Sequence, residues 1–157
     1  MKVEFWVIGK TNETYLQRGM DNYSKRLTHY LKFVIEVIPD VKNPKNLSRE
    51  QLKLKEGASI LKKLKSEDYL VLLDEKGKEY TSIQFSKRLE KFQISGKKRV
   101  IFLVGGAFGF SPEIYQRANE KLSVSQMTFS HQMIRLFFLE QLYRAMTILR
   151  GEPYHNE

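Results

Sequence analysis

Three runs in the last quarter of the chain carry more polar chemistry than a helix needs in order to fold. They are Phe129-Ser130-His131-Gln132-Met133-Ile134-Arg135, Glu140-Gln141-Leu142-Tyr143-Arg144-Ala145 and Arg150-Gly151-Glu152-Pro153-Tyr154-His155. Histidine exchanges a proton near neutral pH, arginine holds anionic oxygens in its planar fork, and tyrosine pairs a stacking ring with a hydroxyl donor. Such a collection suits the handling of a polar substrate. The bland readings are a capping-region histidine at His131, a small-value helix salt bridge between Glu140 and Arg144, and a frayed end at His155. Metal catalysis is disfavoured, because His29, His131 and His155 are dispersed and no H-E-x-x-H spacing accompanies them. With no G-x-S-x-G turn and no cysteine, covalent catalysis and disulfides are disfavoured too.

The elements that must position these residues follow from hydrophobic spacing. Val3 to Ile8, Phe33 to Ile38, Tyr69 to Leu73 and Arg99 to Val104 read as strands, and Leu122 to Ser125 as a short fifth. The Tyr69 and Arg99 runs are apolar throughout rather than alternating, as in a parallel sheet covered on both faces. The pattern has Asp74-Glu75-Lys76-Gly77-Lys78 ending the third strand. Helical spacing runs from Glu13 to about Tyr30 through Tyr15, Leu16, Met20, Tyr23 and Leu27, and again over Ser82 to Phe92. Ser48-Arg49-Glu50-Gln51 is a capping box opening a helix to about Leu64, although Gly57 weakens it. Ser111-Pro112-Glu113 opens another to about Glu120, and Ser130 caps a last one reaching Leu149 or Arg150. Strand and helix in alternation predict a single α/β domain over residues 1–157 with a mostly parallel sheet flanked by helices. The last helix is apolar on most of its circumference, which predicts burial from several sides and a homodimer interface as one way to achieve it.

Open α/β sheets bind ligands beyond the carboxyl ends of their strands. Three such ends converge in type here: Leu73-Asp74, the turn Gly105-Gly106-Ala107-Phe108-Gly109-Phe110, and Val124-Ser125-Gln126-Met127-Thr128-Phe129. The turn fits neither G-x-G-x-x-G nor G-x-x-x-x-G-K-[ST], and a merely steric role for its glycines is an equal alternative. Ordinary core packing is the competing reading of Met127 and Phe129. Lys plus Arg number 27 against 18 Asp plus Glu, for a net charge of +9, the balance of a chain that meets polyanions or anionic membranes. No run approaches the roughly 20 apolar residues of a membrane span, so no membrane role is expected, and the N-terminus does not read as a signal peptide. A reducing, cytoplasmic setting is the expectation.

The Gly-Gly turn after a buried strand, Leu-Ser-x-Ser-x-Met-Thr-Phe-x-His at Leu122 to His131, Glu140 to Ala145 and the terminal Arg150 to His155 together resemble the bacterial large-subunit rRNA pseudouridine N3-methyltransferases of the SPOUT class. Val7-Ile8-Gly9-Lys10 and Lys55-Glu56-Gly57 extend the resemblance over essentially the whole chain; Ser130 and Gln132 stand beside His131 where some relatives carry Pro. The resemblance implies a homodimer with a C-terminal trefoil knot that uses S-adenosyl-L-methionine on rRNA in the assembled ribosome. It places the cofactor against Leu73, Gly105, Val124, Ser125, Gln126, Met127, Thr128 and Phe129. His131, Arg135, Arg144, Tyr154 and His155 become candidates for the substrate side, with Glu140 orienting Arg144. A non-catalytic RNA-binding module, or an enzyme using another nucleotide, are the competing classes, and cofactor binding separates them.

Overall fold

The computed structural model describes residues 1–156. Strands β1 (Lys2–Ile8), β2 (Lys32–Ile38), β3 (Tyr69–Glu79), β4 (Arg99–Val104) and β5 (Glu120–Ser123) alternate with helices α1 (Thr14–Leu27), α2 (Arg49–Lys63), α3 (Ser82–Ile94), α4 (Pro112–Arg117) and α5 (Met133–Leu149). The strands lie in the order β2-β1-β4-β3-β5, and every neighbouring pair is parallel.

Period-two alternation divides each central strand between two cores. Val3, Phe5 and Val7 of β1, Val71 and Leu73 of β3, and Val100, Phe102 and Val104 of β4 face α1, α3 and α5. Trp6, Ile8, Leu70, Leu72, Ile101 and Leu103 face the layer that contains Ile60 of α2 and Ile114 of α4. Helices on both faces explain the uninterrupted apolar runs. The capping boxes at Ser48–Gln51 and Thr81–Gln84 both close, and Ser111 caps α4 through a 3.4 Å bond from the Ile114 N–H. At the amino ends of the strands a buried charge cluster ties β1 to β4. The Arg99 guanidinium donates to Glu4 Oε2 at 3.0 Å and Asp68 Oδ1 at 2.8 Å, and Trp6 Nε1 donates to Glu4 Oε1 at 3.0 Å. Burial alone would raise the Glu4 and Asp68 carboxyls; the Trp6 and Arg99 donors outweigh it at Glu4, as Arg99 does at Asp68, and hold both below the usual carboxylate range.

Several expected boundaries are corrected. β3 does not stop at Asp74 but runs to Glu79, because its register on β5 jumps: Leu122 pairs with both Leu73 and Lys78. Gly77 permits this, since a Cβ there would lie 2.6 Å from the Leu122 backbone nitrogen. β5 begins and ends two residues earlier than expected, at Glu120–Ser123, so Val124 and Ser125 belong to the loop beyond it. α1 ends at Leu27, and Tyr15 is 60% exposed because the buried face of the helix carries Leu16, Met20 and Leu27 instead. α4 ends at Arg117 rather than near Glu120, where the chain turns into β5.

α5 lies against α1 and α3. Its Phe138 ring stands 5.0 Å from Phe5 and 4.9 Å from Phe102. Much of the apolar circumference that suggested a second copy is thus covered within one chain. Phe137, 45% exposed and 4.9 Å from Phe129, remains at the surface. No helix among the described residues is long and apolar enough to cross a membrane.

Candidate active site

The carboxyl ends of β3, β4 and β5 open into a cavity of about 640 Å³, within the range of ligand pockets that hold a small molecule. Its apolar wall includes Leu73, Val104, Leu122, Phe129 and Ile134. Seven of the eight residues expected to hold a cofactor line it: Leu73, Gly105, Val124, Ser125, Met127, Thr128 and Phe129. Gln126 does not; it is exposed on the loop. That loop is braced by its own hydroxyls. Ser123 Oγ donates to the Ser125 carbonyl at 2.8 Å, Ser125 Oγ accepts from the Met127 N–H at 3.0 Å, and Thr128 Oγ1 donates to Glu75 Oε2 at 2.8 Å. Met127 is 78% exposed rather than packed in the core.

The Gly105-Gly106 turn is closed by an N–H from Gly109 to the Gly106 carbonyl at 3.1 Å. Gly106 leaves room for the Glu56 carboxylate, whose Oε2 would stand 2.7 Å from a Cβ there. Glu56 of α2 therefore lays its carboxylate on the turn behind the cavity. Burial, and secondarily the charge of Asp40, push its pKa up.

Of the five expected substrate-side residues, only His131 lines this cavity. Burial, then the Arg135 charge, push its pKa below the ordinary histidine value against the pull of Asp40, so its imidazole is neutral at pH 7. Arg135 is wholly buried beside the cavity rather than in it. Its Nη2 donates to the Ile8 carbonyl at 2.6 Å, Nη1 to the Gly9 carbonyl at 2.9 Å and Thr11 Oγ1 at 3.0 Å, and Nε to the His131 carbonyl at 3.2 Å. With no carboxylate within 4 Å among the described residues, burial pushes its pKa down to about 10. The guanidinium is spent on tying the first turn of α5 to the end of β1.

Arg144, Tyr154 and His155 form a second group, away from the cavity of their own chain. Arg144 Nη2 donates to Glu140 Oε1 at 2.5 Å, the expected i,i+4 pair, and Arg144 Nη1 lies 3.1 Å from His155 Nδ1. Because arginine can only donate, Nδ1 is the accepting nitrogen of that ring. The Tyr154 hydroxyl donates to Glu140 Oε1 at 3.0 Å and lies 3.3 Å from the Tyr23 hydroxyl. Burial, together with those two partners, raises the Tyr154 phenol, which stays protonated at neutral pH. The segment from Arg150 to His155 is thus docked rather than frayed. Tyr30 donates to Glu152 at 2.6 Å and Arg150 to the His29 carbonyl at 3.1 Å.

Sequence reasoning missed Arg49, Lys53, Phe108 and Tyr115 as cavity residues. Phe108 lay inside a turn already singled out, but nothing in its spacing marks its side chain as exposed. Among the described residues no group of three or more His, Asp or Glu side chains could hold a metal.

Comparison with known proteins bears on this arrangement. A family model described as predicted SPOUT methyltransferase matches residues 1–155. The ribosomal RNA large subunit methyltransferase H of Parabacteroides distasonis is 60% identical over 157 residues, 100% of both chains. The proteins of the same name from Flavobacterium johnsoniae and Phocaeicola vulgatus are 55% and 52% identical, each again over 100% of both chains.

Proposed function

The chain belongs to the SPOUT methyltransferase family, and on that premise we propose that it methylates N3 of a pseudouridine in large-subunit ribosomal RNA within the assembled ribosome. S-adenosyl-L-methionine is the methyl donor of this family. The observation that carries the reading is the cavity at the strand ends, lined by seven residues at which the family resemblance implies such a cofactor. Its volume, its apolar wall at Leu73, Val104 and Phe129, and the braced loop from Val124 to Phe129 fit an adenosine-bearing ligand.

When bound, the donor supplies an electrophilic methyl group, so the chain's own work is to orient the target base and remove one proton. His131, neutral and on the cavity wall, is suited to accept the N3 proton. Arg135 acts on it indirectly, through the His131 carbonyl it holds. Arg144 is suited to stabilise the negative charge that develops on the neighbouring carbonyl oxygen, and Tyr154, whose one hydroxyl proton goes to Glu140, to hold the Glu140–Arg144 pair in place beside the base. His155 shares the Arg144 N–H and stands ready to relay a proton.

Because Arg144, Tyr154 and His155 do not line the cavity of their own chain, we assign them to the cavity of a second copy in a homodimer. The return of the loop beyond β5 over Glu75 and onto Lys10 and Asn12 supports the knotted path that the family resemblance implies. The surplus of cations suits a phosphate-rich partner, and a cytoplasmic site of action follows from the ribosome as substrate.

The test is transfer of labelled methyl from S-adenosylmethionine to ribosomes lacking the modification, against ribosomes with uridine at the same position. Incorporation confined to the pseudouridine ribosomes is expected. Donor binding without incorporation would move the target to another RNA, and absence of donor binding would overturn the enzyme reading. Mixed dimers test the shared site: a His131→Ala chain and a His155→Ala chain, each inactive alone, recover one working site when combined.

A further inference from the structure

The turn that ends β4 holds two phenylalanines with opposite fates. Phe110 is 7% exposed and packs in the core with Ile114, whereas Phe108, at the tip, is 43% exposed at the mouth of the cavity. The tip is not loose. Gly106 and Gly109 bridge across it, and Gly109 at φ +84° turns the chain toward Ser111 and the start of α4. The Phe108 ring is held from one side by the Arg49 guanidinium, whose carbon lies 4.7 Å from the ring centroid, and Arg49 is the first residue of α2. A solvent-facing aromatic fixed on a glycine-closed turn stabilises the fold little. Its placement answers to something that arrives from outside.

The charges around it narrow what that is. Arg49, Lys53 and Lys76 line the mouth, and among the described residues none has a carboxylate within 4 Å. The acids nearby are Glu50, Asp74 and Glu75; Asp74 accepts the Tyr115 hydroxyl at 2.5 Å and Glu75 the Thr128 hydroxyl. An exposed ring backed by arginine and ringed by unpaired cations is the combination that meets single-stranded RNA, where bases stack on aromatic and guanidinium planes while phosphates meet cations.

We propose that Phe108, braced by Arg49, is a stacking platform for an unpaired nucleobase next to the target nucleotide. This rests on the rRNA methyl-transfer reading above. A base drawn into the cavity must leave its stack, and the neighbour it abandons loses a face; Phe108 offers a replacement surface at the point where the strand enters.

The test uses the full chain and ribosomes lacking the modification, with Phe108→Ala, Phe108→Leu and Phe108→Tyr. Phe108→Ala and Phe108→Leu are expected to raise KM for ribosomes about tenfold, the loss of one stacked base, with kcat and the donor Kd unchanged, and Phe108→Tyr to behave as wild type. Sedimentation is expected to give one oligomeric state for all four proteins. An unaltered KM in Phe108→Ala, or a leucine as good as the aromatic ring, would overturn the proposal. A weakened donor Kd would make Phe108 a cover for the cofactor instead, and a changed oligomeric state would make it an interface residue. A wild-type protein inert on these ribosomes would remove the methyl-transfer reading and the platform with it, whereas an active wild type with an equally active Phe108→Ala removes the platform alone.

Discussion

Replacing Arg135 with methionine separates a residue that works in the reaction from one that holds the site in shape. The substitution keeps the length and most of the apolar stem, and removes all four hydrogen bonds to Ile8, Gly9, Thr11 and His131. Two acceptors, the Ile8 and Gly9 carbonyls, lie in bonds that are buried, and each left dry costs about 1–3 kcal/mol. Relief of the buried guanidinium, whose own pKa is pushed down to about 10 by the surrounding protein, returns part of this. A net loss of about 2–4 kcal/mol is expected. For a chain of this length that corresponds to a fall in Tm of roughly 5–15 °C. Arg135→Lys keeps a charged donor head and is expected to lose about half as much. The assay is urea unfolding followed by circular dichroism at one fixed protein concentration, with donor affinity and methyl transfer measured well below the transition. The expected pattern is a lower midpoint with an unchanged slope, weaker donor binding, and a transfer rate at saturation that is largely kept. An unaltered midpoint with transfer abolished would refute the reasoning and return Arg135 to the reaction itself.

Two further substitutions probe the ends of the sheet. Glu56→Gln bears on the back of the cavity. An acid whose folded pKa is raised contributes stability present below its unfolded value and lost as pH rises, so the glutamine variant should unfold at higher urea than wild type at pH 7, and the gain should vanish on acidification below about pH 4. A midpoint that is the same at both pH values would show that the carboxylate is not held against burial. Arg99→Met removes the guanidinium shared by Glu4 and Asp68, whose side chains are 6% and 2% exposed, and leaves Glu4 the half-exposed Lys2 ammonium at 3.5 Å; a loss of about 3–5 kcal/mol is expected, with donor affinity unchanged in whatever fraction stays folded, since the cluster sits at the opposite ends of the strands from the cavity. Calorimetric melting together with donor titration checks both halves of that statement.

The strands and most helices were legible because burial on two faces leaves uninterrupted apolar runs, and because Ser48 and Ser111 cap in the standard way. Gly57 looked like a weakness in α2 and is instead a buried contact point against Ser111. The cavity loop was legible as a strand end rich in small polar residues. What escaped was set by tertiary geometry. The continuation of β3 past Asp74 depends on a register jump that only the β5 backbone explains. Arg135 was indistinguishable in sequence from a substrate ligand, since both tasks call for a long cation with a forked donor head, and only the position of the Ile8 and Gly9 carbonyls decides between them. The clustering of Glu140, Arg144, Tyr154 and His155 was legible in part, as an i,i+4 pair, while the docking of Tyr154 on Tyr23 joins residues far apart in the chain.

The packing of Phe138 between Phe5 and Phe102 has a consequence for how the molecule comes into being. The first strand cannot take its second neighbour until β4 has been made, and the aromatic face those two strands share stays open until α5 arrives. Every strand pairing joins segments distant along the chain, and such high contact order slows folding. A growing or freshly denatured chain therefore passes through a stage with a parallel sheet half assembled and Phe5, Phe85 and Phe102 bare to water, the kind of surface on which chains associate wrongly. Crowded refolding should lose more material to aggregates than dilute refolding does, and the losses should cease once α5 has closed over the sheet.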